Sequence, residues 1–119
     1  MRLNYEALRQ VMIEMQNQPL HPNASTIVNN VVKNGYSKSD TVYSLKQAVD
    51  AGLIDGSVTA GVSNTYYFNL RDITPQGHQF IDSILKDTYW NRVKAELKKE
   101  GIPMTVPAIV RTIANLFLS

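Results

Sequence analysis

Lys38, Ser39, Tyr43, Lys46 and Gln47 fall on one side of a helix expected over residues 38–51, opposite Leu45. Those residue types suit the edges and backbone of double-stranded DNA. Lysine and glutamine pair with guanine and adenine edges, and serine or tyrosine hydroxyls hold phosphates. The N-terminal residues of a recognition helix are the ones that reach base edges, which places Lys38 and Ser39 at the tip. Asp40 and Asp50 lie on the same helix and fit a solvated face better, since a carboxylate beside phosphates is repelled. Lys33 and Arg71 are further candidates for phosphate contact.

No other constellation points to catalysis. His21 and His78 are the two histidines, and no three or four metal-ligand types converge at fixed spacing. His78 precedes Phe80 near a helix start, where a packing or capping role is expected. Asp82 and Asp87, five apart, share no helical face. The chain has no cysteine, which excludes thiolate chemistry and disulfides. Arg92, Lys94, Lys98 and Lys99 form a basic run, but Glu96 and Glu100 interleave it, as on a solvated helix face. No catalytic residue, metal or cofactor is assigned, and the protein is not expected to be an enzyme.

The elements that must position the 38–51 face are readable. Asn4 is an N-cap, with Leu3 and Leu8 placed as a hydrophobic staple. Leu8, Val11, Met12 and Met15 form the apolar stripe of the first helix, which Pro19 and Pro22 end. Residues 24–36 fit either a helix or a β-branched edge strand, and the strand is slightly favoured. Ser37 caps the next helix, with Asp40 as a shortened capping box. Val42, Leu45 and Val49, flanked by Thr41 and Ala48, are expected to face the core, and Gly52 closes the helix.

Leu53 and Ile54 start a strand, Gly56 to Asn64 reads as a loop, and Tyr66, Phe68 and Leu70 alternate as a second strand. The hairpin carries no Lys or Arg between Gln47 and Leu70; it offers Ser57, Thr59, Ser63, Asn64 and Thr65 instead. Thr74 and Pro75 open a helix with Phe80, Ile81, Ile84 and Leu85 inward. Trp90, Val93 and Leu97 extend that periodicity as a new or bent helix. Thr105 caps a last helix whose apolar face, from Val106 to Phe117, is to be buried within the chain or against a second copy.

The 119 residues are 44% hydrophobic and 18% charged, ordinary for a folded domain. Net charge is +2, and its distribution matters more. Residues 1–74 hold as many acidic as basic groups, so the excess lies in 75–119. A neutral reading head predicts weak non-specific DNA affinity unless its cations cluster. No signal peptide or spanning segment is legible, so a cytoplasmic location without membrane contact is expected.

Gly35-Tyr36-Ser37, Val42-Tyr43-Ser44-Leu45, Ala51-Gly52-Leu53-Ile54, Gly77-His78-Gln79-Phe80-Ile81-Asp82 and Asp87-Thr88-Tyr89-Trp90 together resemble one family. It is a domain-of-unknown-function family of small proteins found in phages and prophages. The likeness spans nearly the whole chain. It implies an intracellular winged-helix protein of phage type and no assigned activity. Ser44 stands where that family usually has histidine. Lys38 and Ser39 stand where it tends to be acidic, which makes this helix tip more compatible with phosphate.

The reading is therefore an α+β winged helix-turn-helix over residues 1–86 with a helical extension over 87–119. The expected function is that of a phage- or prophage-derived transcriptional regulator that binds double-stranded DNA, with 105–118 as a possible dimer contact. The alternative is a protein-interaction module that keeps the scaffold without DNA. It would dock its partner on the Tyr66/Tyr67 hairpin or the last helix.

Overall fold

The computed structural model describes residues 2–102 and 105–118. Among them are six α-helices and one two-stranded antiparallel sheet. The helices are α1 (Tyr5–Gln16), α2 (Ala24–Lys33), α3 (Lys38–Asp50), α4 (Pro75–Ile84), α5 (Asp87–Glu100) and α6 (Val106–Ile113). Strands β1 (Ile54–Ala60) and β2 (Tyr66–Ile73) lie between α3 and α4. Helix α1 is central and packs on α2, α3 and α4. One apolar cluster runs from Leu3 through Leu45, Phe80 and Trp90 to Ile113.

Residues 24–33 are helical, correcting the preference for a strand. The Asn23 side chain accepts from the amides of Ser25 and Thr26, a cap the β-branched run obscures. The propensity cost of valine, isoleucine or threonine in a helix is roughly 0.5 kcal/mol each. Burying Ile27, Val28 and Val31 on one face contributes roughly 1.5–3 kcal/mol each, so packing decides the conformation.

Helix α3 begins where expected, with Ser37 Oγ accepting from the Asp40 amide at 3.1 Å. The Asp40 carboxylate does not complete a capping box. It accepts from Asn4 Nδ2 at 3.1 Å and ties the starts of α1 and α3 together. The buried stripe of α3 is Thr41, Ser44, Leu45 and Ala48, while Val42 and Val49 are half-buried. The helix is thus turned slightly from the expected line, keeping Thr41, Leu45 and Ala48 inward but exchanging Val42 and Val49 for Ser44. Its two buried hydroxyls tolerate this because each donates to a carbonyl, Thr41 to Ser37 at 2.7 Å and Ser44 to Asn4 at 3.4 Å. Gly52, at φ +79°, lets the Leu53 amide return to the Ala48 carbonyl and ends the helix.

The span read as a loop, 56–64, is strand as far as Ala60; the turn runs from Gly61 to Thr65. Pairing overrides the weak propensity of Gly56, Ser57 and Ala60, since Val58 faces Phe68 and Ala60 faces Tyr66. A bulge at Arg71 shifts the register after Asp55 and sets the Arg71 guanidinium 3.4 Å from the Asp55 carboxylate. Gly77 holds α4 against the sheet. A Cβ there would stand 2.1 Å from the Leu53 carbonyl oxygen, so no other residue fits without a shift.

Helix α5 is separate from α4, and Arg9 of α1 organises the junction. The buried guanidinium donates to the carbonyls of Ile84 and Leu85 at 3.1 and 2.7 Å and to Asp87 at 2.8 Å. It thereby satisfies the open carbonyl end of α4, where a cation is favoured. One turn earlier, Glu6 accepts from Trp90 Nε1 at 2.9 Å and pairs with Lys94. Tyr5 meets the Trp90 ring edge-on, with centroids 5.8 Å apart. Val106, Ala108, Ile109, Thr112 and Ile113 of α6 are buried, and α6 packs on α4 and α5 of its own chain. The side chain of Phe117, part of the expected apolar face, lies outside what the structure describes.

Candidate nucleic-acid interface

The outer face of α3 carries Ser39, Tyr43, Lys46, Gln47 and Asp50, with Lys38 at its N-terminal tip. Lys38 and Ser39 are exposed; Tyr43, Lys46 and Gln47 are half-buried at the flanks. The five expected contact residues do not form one cluster. Two grooves bound the helix, and each takes a share of them.

The groove on the hairpin side has a volume of about 720 Å³ and is lined by Lys38 and Val42 of α3, the start of α2 with Asn23 and Ser25, and β2 with Tyr66 and Phe68. Lys46 leans the same way, with its ammonium 6.0 Å from the Tyr66 ring centroid. That ammonium is hydrogen-bonded to Asp50 at 2.7 Å. The Asp50 hydrogen bond raises the Lys46 pKa above its ordinary value, against partial desolvation that lowers it. The lysine is charged at neutral pH, but Asp50 largely neutralises its field. Arg71 forms an exposed ion pair with Asp55 at 3.4 Å.

The second groove, about 750 Å³, lies between α3, the start of α1 and the C-terminal end of α5. Tyr43 and Gln47 form part of its lining, with Leu3, Leu97 and Ile102 supplying apolar surface. Its charged lining residues are Arg2, Lys94 and Lys98. Lys94 is paired with Glu6; Arg2 and Lys98 have no ion-pair partner among the described residues. Lys98 was not legible as part of this surface, because the docking of the start of α5 on α1 is what brings its C-terminal end beside this groove. The signal that was available is Arg9. It sits at the spacing of the α1 apolar stripe, four residues after Tyr5 and three before Met12, where a charge needs a buried partner.

Other sequence candidates are dispersed. His78 is exposed rather than packed, and the cap on the Gly77 amide comes from Thr74 Oγ1 at 3.0 Å. Asp82 is exposed, and Asp87 faces Arg9 instead of a second carboxylate. Among the described residues, no group of three or more His, Asp or Glu is placed to hold a metal ion, and no helix is long and apolar enough to cross a membrane.

The family model described as "Hypothetical protein (DUF2513)" matches residues 2–103, which is most of the chain and includes α1 to α5. The chain belongs to the DUF2513 family. An uncharacterized protein of Haemophilus influenzae is 27% identical over 122 residues, covering 100% of this chain and 97% of that one. No solved structure gives a significant match. In this DUF2513 member, the pieces that carried the family resemblance are mostly fastenings. Gly77 allows the α4 approach, Phe80 is core, Asp87 meets Arg9, and Trp90 meets Glu6.

Proposed function

We propose that this DUF2513 member is a winged-helix DNA-binding protein, with α3 as its recognition helix and the β1–β2 hairpin as its wing. It would act as a transcriptional regulator of the phage or prophage type that the sequence resemblance implies. The observation that carries the reading is the outer face of α3. It is polar and bears Ser39, Tyr43, Lys46 and Gln47, with Ser39 exposed and the other three half-buried at its flanks. A helix about 10–12 Å across with such a face fits a major groove about 12 Å wide.

Selection from a random-sequence DNA pool, alongside the flanking genomic DNA, tests it at low and moderate salt. A selected, salt-sensitive motif is expected. The double charge reversal Lys38→Glu with Lys46→Glu should then lower affinity for that motif at least about tenfold, as loss of a base or phosphate contact does. No retention of DNA at low salt overturns the reading.

One observation favours a non-DNA interaction module instead. Lys46 and Arg71 are already paired with carboxylates, and the hairpin has no other cation before Arg71. On that reading a partner docks on the Tyr66/Tyr67 hairpin, and its capture survives high salt.

A further inference from the structure

We infer that the groove between α3 and the C-terminal end of α5 cradles a DNA phosphate backbone, with Arg2 and Lys98 as the phosphate-contacting groups. The inference rests on the DNA-binding reading and deepens it. It assigns part of the interface to the C-terminal extension instead of to the first 74 residues alone.

Three observations carry it. The first is charge. Residues 1–74 are neutral, and within them Lys46 and Arg71 are each paired with a carboxylate. Arg9 is likewise paired with Asp87, so Arg2, Lys33 and Lys38 are the cations of this segment without an ion-pair partner among the described residues, few for phosphate neutralisation. The excess of positive charge lies beyond residue 74, and the fold returns part of it to α3. Helix α5 docks on α1 through Asp87 and Trp90 near its start, which carries Lys98 to the wall of the groove that also holds Tyr43 and Gln47.

The second is composition. Arg2, Lys94 and Lys98 are cations, and no carboxylate shares the lining with them. Lys94 is compensated by Glu6. Arg2 and Lys98 are exposed and have no ion-pair partner among the described residues.

The third is shape. A helix of about 10–12 Å diameter fills a major groove of about 12 Å, so a phosphate ridge passes along each of its flanks. On one flank stands Lys38, beside the hairpin. On the other, the ridge meets the groove of about 750 Å³, whose lining includes Tyr43 and Gln47 together with Arg2 and Lys98. The division of labour is then plain. The α3 face meets base edges, and the start of α1 together with the end of α5 fixes the register by gripping the backbone.

The test is fluorescence anisotropy on the selected DNA site across a salt series, with Arg2→Gln, Lys98→Gln and the double variant. Lys86→Gln is the control, since it lies about 18 Å back along the chain direction of α5 at 1.5 Å per residue. Each of the two groove substitutions should flatten the slope of log affinity against log salt by about 0.9 and weaken binding roughly fivefold to tenfold near 0.1 M salt. The double variant should flatten the slope by about 1.8 with the base preference unchanged. Both side chains are exposed, so thermal melting should be unaltered.

Wild-type slopes in the groove variants, with wild-type protein binding DNA normally, overturn this inference alone. An equal loss in Lys86→Gln also overturns it, because the effect would then be one of net charge. Failure of the wild-type protein to bind any DNA at low salt overturns the DNA reading and this inference with it.

Discussion

The seam between α1 and α5 and the outer face of α3 are both rich in polar side chains, and they use them in opposite ways. In the seam, charge is committed. Arg9 serves two carbonyls and Asp87, and Glu6 serves Trp90 and Lys94. On α3, Ser39, Tyr43 and Gln47 make no side-chain hydrogen bond among the described residues, and Lys38 meets no carboxylate. The motifs that mark the family, Asp87-Thr88-Tyr89-Trp90 above all, sit in the seam. A sequence signature can therefore identify how a fold is fastened while saying little of what its surface recognises.

Substitutions that separate stability from recognition sharpen this contrast. The largest effect is expected for Trp90→Ala. It removes a fully buried ring, its contact with Tyr5 and the donor to Glu6, and should cost about 3–5 kcal/mol. Because Trp90 is the sole tryptophan, urea unfolding must be followed by circular dichroism. A loss below about 1 kcal/mol would mean that α5 does not depend on this anchor.

Arg9→Met should cost less, about 1.5–3 kcal/mol. The Arg9 side chain is 10% exposed and that of Asp87 is 85% exposed. The ion pair is therefore screened, and the buried carbonyl of Ile84 with the part-buried one of Leu85 accounts for most of the loss. Asp87→Ala, measured beside it, should be nearly silent; equal losses would shift the weight to the ion pair.

Asp50→Asn, on the α3 face, should change stability by less than about 0.5 kcal/mol. By releasing Lys46 and removing a repelling carboxylate, it should raise DNA affinity roughly threefold to tenfold near 0.1 M salt. The sign of its pH dependence is set by the raised pKa of Lys46. Stabilisation from a group whose folded pKa is raised is fully present below the ordinary lysine value and is lost as pH rises through the folded one. The small stability difference from wild type should thus hold at neutral pH and fade only in strongly alkaline solution. Lower affinity in Asp50→Asn would indicate that Lys46 needs Asp50 to hold its orientation.

Much of the architecture could be read from local signals. Asn4, Ser37, Thr74 and Thr105 cap their helices as their spacing predicts, because a cap is a contact between near neighbours. Gly52 ends α3 for the same kind of reason, since its left-handed backbone requires no information from elsewhere. The five α3 residues were likewise placed on one helix by periodicity. The length of β1 was not legible, because Gly56 to Ala60 are strand only by virtue of their partners in β2. Nor was α2, whose β-branched residues favour a helix once a core exists to receive them.

Local chemistry thus settled the starts of α1, α3, α4 and α6, the hairpin order and the neutrality of the first 74 residues. Spatial neighbours settled the rest. They turned α3 so that Ser44 faces inward beside Thr41, and set Glu6 and Arg9 on partners more than 70 residues away. They also brought Lys98 to the side of Tyr43 and Gln47. Charges and ring edges act through space, and no spacing within α1 or α5 records which residues of the other helix they will meet.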